Sequence, residues 1–434
     1  MKLPAISCGD PDTRGVVLPN GVRVVVMRLP HLATAAVSVF VKSGSEHESA
    51  RENGISHFIE HMAFKGTRTR DCQRINLDAE RLGAEVNAHT DKDHTAFHMR
   101  GHARDAAAFV RMLGDIVREG TFPEAELERE RSVILHEFAE DDDDAMSTAF
   151  KLFDAACYGT HPAARPVIGS RANLRRFTRA ELVRWVERQY TGVNTVVGIA
   201  GNVDVGDAIA AAEAAFGSMP QGAANRVASP VFVGGVRARR LAGSSQAHLV
   251  IGYPIPSLAD EHAAFVVAAA LLGEGMSSPL LDRLRERRGL VYHADCWTDV
   301  RDGYGQFVIE ASTAPRHLRE AADEIAGLLA EHLGTTPRIG LERARNQSVV
   351  RSLLAQEAPE KRLEAAALDL FALGHVRSRD AVEQRIGAVR PAEVRAAFAR
   401  MLDAGAAVGI AGSFARAAAD EVSARFGRRR QGTR

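Results

Sequence analysis

Cysteine, tyrosine and tryptophan are scarce in this 434-residue chain. The four cysteines, Cys8, Cys72, Cys157 and Cys296, stand far apart with no C-x-x-C pair. That spacing excludes a disulfide frame and a cysteine-built zinc knot, and the thiols read as reduced. Lys plus Arg and Asp plus Glu number 55 each, so the formal net charge is zero. A neutral chain has no bulk attraction to nucleic acid or to an anionic membrane surface. No window reaches the run of roughly 18 apolar residues expected of a membrane span. The start, Met1-Lys2-Leu3-Pro4, runs into Gly9, Asp10, Pro11 and Asp12 without a hydrophobic stretch of signal-peptide length. The expectation is a cytoplasmic protein with no nucleic-acid and no membrane partner. The basic run Arg428-Arg429-Arg430 reads as a disordered, solvated end. An apolar fraction of 46% and a charged fraction of 25% are ordinary for a globular protein.

Against this plain background stands His57-Phe58-Ile59-Glu60-His61, an H-x-x-E-H signature opening an apolar helical stretch. Four residues at 100° each place the two imidazoles roughly 40° apart on one helix face, one turn separated. Such a pair can bind one Zn²⁺, with Glu60 close enough to polarise a metal-bound water. The order inverts the commoner H-E-x-x-H of zinc proteases. The same five residues also fit a surface helix with a solvated glutamate and two unrelated histidines. Downstream, Pro123 followed by Glu124 and Glu126 suits a helix start. Glu130 and Glu137, seven apart with Val133 and Ile134 between them, share a face of that helix. Carboxylates among aliphatics need a charged partner, and zinc would supply one.

With these segments the chain resembles the insulinase-type, or pitrilysin, zinc metallopeptidases, in particular the two-domain branch that includes mitochondrial processing peptidase and small bacterial homologues. The matching stretches are Gly54-Ile55-Ser56 with HFIEH, Met62-Ala63-Phe64-Lys65-Gly66-Thr67, Leu82 to Thr90, and Glu130 to Glu137. The resemblance implies His57, His61 and Glu137 as ligands of one Zn²⁺ per chain and Glu60 as general base. It makes Glu130 a group that orients a ligand or balances the charge of the site. It also implies that Asn87-Ala88-His89-Thr90 lies on an edge strand where an extended peptide substrate adds as a further strand. His94 and His98, nearby in sequence, are expected not to be ligands.

The second half carries its own match, GEGMSSPLLDRLRERRGLVY over residues 273–292. Arg285 and Tyr292 have the spacing of the family's Arg/Tyr pair, and both can hydrogen-bond a carbonyl oxygen that gains negative charge. Glu274 and Pro279 depart from the family's usual residues around this turn. The resemblance implies a zinc-dependent endopeptidase acting on short or unfolded peptides. Because the chain holds both the zinc motif and the Arg/Tyr pair, a homodimer is the simplest assembly, with a heterodimer with a related chain as the alternative. Two other roles occur among such proteins: a non-catalytic or partner-dependent scaffold subunit, and a dedicated leader-peptide maturation protease acting with a second chain.

Internal repetition sets the architecture. Val197-Gly198-Ile199-Ala200-Gly201-Asn202 recurs as Val408-Gly409-Ile410-Ala411-Gly412-Ser413, and Glu80-Arg81-Leu82-Gly83 as Glu286-Arg287-Arg288-Gly289. The near-equal offsets predict two copies of one domain: 1–218 with the zinc motif, a linker at 219–235, and 236–434 with the Arg/Tyr pair. Pro19-Asn20-Gly21 between Val16-Val17-Leu18 and Val22 to Met27 predicts a hairpin, and Thr34 to Val41 a strand. Stretches at 104–119, 179–190, 316–333 and 339–356 predict helices. The fold class is therefore α+β, two homologous domains, each a mostly antiparallel sheet. The resemblance adds that helices pack on one side of each sheet and that the pair of domains closes as a clamshell in a dimer.

Overall fold

The structure, a computed structural model, describes residues 3–427. The Arg428-Arg429-Arg430 run lies outside the described residues. The chain divides into two compact units: 1–138 with 166–227 and 354–379, and 139–165 with 228–353 and 380–434. The passage between Val227 and Ala228 falls within the stretch read as a linker. Each unit also takes in a segment from the other half of the sequence.

The first unit holds a seven-stranded sheet of β1 (Ala5–Ile6), β2 (Thr13–Val17), β3 (Arg23–Arg28), β4 (Thr34–Val41), β5 (Glu85–Thr90), β6 (Thr95–His102) and β7 (Thr195–Gly201). Their order is β1-β2-β3-β7-β4-β6-β5, with only β3 and β7 parallel. The β2–β3 hairpin follows the Pro-Asn-Gly signal, with Gly21 at φ +89° in the turn. On one face Val37, Val39, Phe97 and Met99 pack with helices Ile55–Met62 and Ala106–Arg118. On the other, Ala36, Phe40 and Ala96 pack with Leu363, Ala366 and Leu370 of helix Pro359–Ala372.

The second unit repeats the arrangement with β8 (Gly235–Arg240), β9 (Ala247–Ile255), β10 (Val291–Val300), β11 (Gly305–Thr313) and β12 (Ala407–Gly412). Their order is β10-β11-β9-β12-β8, with only β12 and β8 parallel. Helices Ala263–Gly273, Leu318–Gly334 and Pro391–Ala404 cover one face. Helix Ala145–Tyr158 covers the other through Ala149, Phe153 and Ala156.

The sequence repeats fall at equivalent places. The Val-Gly-Ile-Ala-Gly copies form β7 and β12, each parallel to one neighbour and antiparallel to the other. Gly83 and Gly289, at φ +61° and +58°, each precede the edge strand of their sheet, β5 and β10. The expectation of helices on one side needs correction, since both faces of each sheet are covered. The cause is visible in β4 and β7, whose side chains are buried on both faces and therefore need apolar cover twice. Gly198 and Gly409 leave room for the second layer: a Cβ at 198 would lie 2.8 Å from Leu363, and one at 409 would collide with Ala149.

Candidate metal centre

Helix Ile55–Met62 buries Ile55, Phe58, Ile59 and Met62 at helical spacing, which leaves His57, Glu60 and His61 on the remaining face. Its start is held from outside. Gly54, at φ +100°, occupies the cap position without a side chain. The Glu48 carboxylate accepts from Gly54 N (2.8 Å), Ser56 N (2.9 Å) and Asn53 Nδ2 (3.0 Å). Burial pushes the Glu48 carboxyl up to about 7, against the pull of those donors.

The third element is helix Glu124–Asp143, which carries both Glu130 and Glu137. Glu137 Oε1 lies 3.6 Å from His57 Nε2, and its Oε2 lies 3.4 Å from His61 Nε2. One ligand-capable atom from each of the three residues lies within 4.8 Å of the others. Two donors each about 2.0–2.1 Å from a tetrahedral zinc are about 3.4 Å apart. The donor set and its spacing therefore fit zinc: two imidazole nitrogens and a carboxylate, three ligands with a position left for water or substrate.

The surroundings fix the rings. His61 Nδ1 donates to Glu130 Oε2 at 3.1 Å, and Lys65 Nζ pairs with Glu130 Oε1 at 2.8 Å. Glu130 thus fixes the ring so that His61 Nε2 faces Glu137. Burial alone would lower the His61 pKa, but Glu137 and Glu130 outweigh it and hold the imidazole above its ordinary value. Glu137 is held below its ordinary value, chiefly by the hydrogen bond from His61. Burial raises the Glu60 carboxyl, opposed by the Thr90 hydroxyl, which donates to Oε2 at 3.0 Å, and by His61.

Strand β5 is the outermost of its sheet, paired only with β6. Its residues alternate: Val86 and Ala88 face the core beneath helix Ile55–Met62 and Thr90 meets Glu60, whereas His89 faces His98 and Glu364 on the opposite side. The Asn87 side chain accepts from Ala88 N at 2.9 Å. In the second unit, Arg285 lies in the helical turn Asp282–Arg287 and Tyr292 on β10. The two come together, with Arg285 Cζ 5.7 Å from the Tyr292 ring centre, and Tyr292 is 82% exposed. The departures nearby have local uses. Glu274 pairs with Arg351 at 2.6 Å, and Pro279 opens a helical turn capped by Ser278.

Sequence reasoning missed Glu48 and Lys65 and gave Thr90 a different task. Lys65 carries a signal, lying four residues after His61. The contacts of Glu48 and Thr90 depend on loop and strand placement and have none.

A profile of the insulinase family (peptidase family M16) matches residues 23–171, and one of the peptidase M16 inactive domain matches residues 176–348. An uncharacterized zinc protease of Mycobacterium leprae is 34% identical over 328 residues, 73% of each chain. The beta subunit of mitochondrial-processing peptidase from Blastocladiella emersonii is 28% identical over 405 residues, 90% of this chain and 86% of that one. A solved protease from Helicobacter pylori superposes with a TM-score of 0.85 at 20% identity, over 93% of this chain and all of that one, which shows the shared fold. With its H-x-x-E-H helix, its Glu137 and its two like sheets, the chain belongs to the insulinase (M16) peptidase family and is a metallopeptidase.

Proposed function

We propose that the chain is a zinc endopeptidase that cleaves short or unfolded peptides, with His57, His61 and Glu137 holding one Zn²⁺ per chain. The observation that carries this reading is the convergence of those three side chains beside Glu60, whose carboxylate is itself positioned by Thr90. Zinc held there would act as a Lewis acid, lowering the pKa of a water and polarising the scissile carbonyl. Glu60 takes a proton from the attacking water and later delivers it to the leaving amine nitrogen as the C–N bond breaks. The open edge of β5 suits an extended peptide, held by main-chain hydrogen bonds with little demand on its sequence.

Arg285 and Tyr292 would hydrogen-bond the carbonyl oxygen as it gains charge. We assign them to a homodimer in which each chain's zinc site is served by the partner's Arg285 and Tyr292. The exposure of Tyr292 and the nearness of the Arg285 guanidinium to its ring support a surface-presented pair. The name of the Blastocladiella relative marks that protein as a subunit, which keeps a related partner chain as the competing assembly. Among the described residues no helix is long and apolar enough to cross a membrane.

The test is cleavage of a quenched-fluorescent peptide library by the wild type beside Glu60→Gln, with metal content measured on the same preparations. The expected result is zinc in both and turnover in the wild type alone, with a loss of about 10²–10⁴-fold for the variant. Metal loss in Glu60→Gln would contradict its assigned role. Mixing Glu60→Gln with Tyr292→Phe should restore activity in heterodimers; heterodimers that form without activity would refute action in trans.

A further inference from the structure

A second group of histidines lies on the face of the first sheet opposite the zinc helix. His94, in the turn joining β5 to β6, is 2% exposed. Its Nδ1 lies 2.7 Å from Asp93 Oδ1, and its Nε2 is buried with no hydrogen-bond partner among the described residues. Buried polar atoms are almost always answered, so this one calls for an explanation. His89 on β5 and Glu364 on helix Pro359–Ala372 complete the group. One ligand-capable atom from each of the three lies within 4.8 Å of the others, and His89 Nε2 is 3.7 Å from Glu364 Oε1.

Neighbouring hydrogen bonds indicate where the protons sit. His98 Nδ1 is 2.8 Å from Ser38 Oγ, and His98 Nε2 is 3.1 Å from His89 Nδ1. With its Nδ1–H donated to Ser38, His98 accepts from His89 Nδ1–H, which leaves the His89 lone pair on Nε2 toward Glu364. Asp93 likewise takes the His94 Nδ1–H and leaves a lone pair on Nε2. The reverse tautomers would aim His89 Nε2–H at Glu364, but 3.7 Å is too long for that hydrogen bond, and His94 Nε2 would still be unanswered. Lys361 does not fill the gap, since its Nζ takes the other oxygen, Glu364 Oε2, at 2.8 Å.

We propose that His89, His94 and Glu364 form a second metal site, for a zinc-class divalent first-row transition ion. Two imidazoles and a carboxylate suit such an ion and leave a position for water. Asp93 behind His94 is the carboxylate–imidazole arrangement that orients metal ligands. The His89 side chain is 41% exposed, which gives the ion a way in from solvent. The site departs from the expectation that His94 ligates nothing. An ion there would fasten the end of β5 to helix Pro359–Ala372, next to the Thr90 that positions Glu60.

The test uses the full chain carrying His57→Ala and His61→Ala, stripped of metal and titrated with Co²⁺ while visible d–d absorption is followed. One equivalent is expected to bind. Asp93→Asn should weaken it roughly 10- to 100-fold, and His89→Asn or Glu364→Gln should weaken it further. In the otherwise wild-type chain, Glu364→Gln should lower the zinc content from two ions to one. The partly exposed His89 and Glu364 keep the test valid if substitution of buried His94 prevents folding, which circular dichroism reports. No ion bound by the double variant would overturn the proposal. So would an ion whose affinity neither His89→Asn nor Glu364→Gln changes.

Discussion

Thr90→Val removes one hydroxyl and nearly nothing else, and the structure says what that hydroxyl does. It donates to Glu60 Oε2 at 3.0 Å and opposes the burial that raises the Glu60 pKa. A hydrogen bond to a charged group contributes about 1.5–3 kcal/mol net. At 1.36 kcal/mol per unit, its loss should raise the Glu60 pKa by about one to two units. The sign follows from the donor: it favours the ionised carboxylate, so removing it favours the protonated form. As the proposed general base, Glu60 would have to be ionised to accept a proton from water, so activity should fall as pH drops through its pKa. The acid limb of kcat/KM against pH should therefore move upward by about one to two units in Thr90→Val. Thr90→Ser, which keeps the hydroxyl, should leave the limb in place. An acid limb unchanged in Thr90→Val, in a variant that folds and binds zinc, would refute the placing of Glu60 by Thr90.

Other outcomes follow from the same geometry. Glu130→Gln removes the charge that accepts from His61 Nδ1 and Lys65, and zinc affinity measured by chelator competition should fall about 10- to 100-fold. Glu48→Ala strips the buried acceptor from the start of helix Ile55–Met62, at a cost of about 2–4 kcal/mol read from urea unfolding. Because Glu137 and Glu130 hold the metal-free His61 above the ordinary imidazole value, protons compete with zinc early. Affinity followed from about pH 8 to about pH 5 should begin to fall above the usual histidine range. An onset below that range would contradict the assigned contacts.

The parts of the site that sequence reveals are those that share one helix. His57 and His61 are one turn apart whatever surrounds them, and Glu130 and Glu137 are two turns apart on another helix. Joining the two helices needed the family resemblance, since nothing in the spacing from 61 to 137 fixes a distance in space. The contacts of Glu48 and Thr90 come from a loop and a strand whose approach depends on tertiary packing. The sheets were legible for a similar reason. The Pro-Asn-Gly turn and the strand over Thr34–Val41 are local, and the repeated Val-Gly-Ile-Ala-Gly falls on equivalent strands. The destination of helices Ala145–Tyr158 and Pro359–Ala372 was not legible, because an apolar stripe does not say which sheet it will cover. Gly198 and Gly409 in that repeat were the available hint, each a place where another backbone or side chain comes close.

The most direct test of the zinc assignment is anomalous diffraction at the zinc edge from crystals of the wild-type chain. The account predicts a strong peak bounded by His57 Nε2, His61 Nε2 and the Glu137 carboxylate, with Glu60 beside it but not bonded to it. Zinc-loaded crystals with no peak among those three side chains would contradict it.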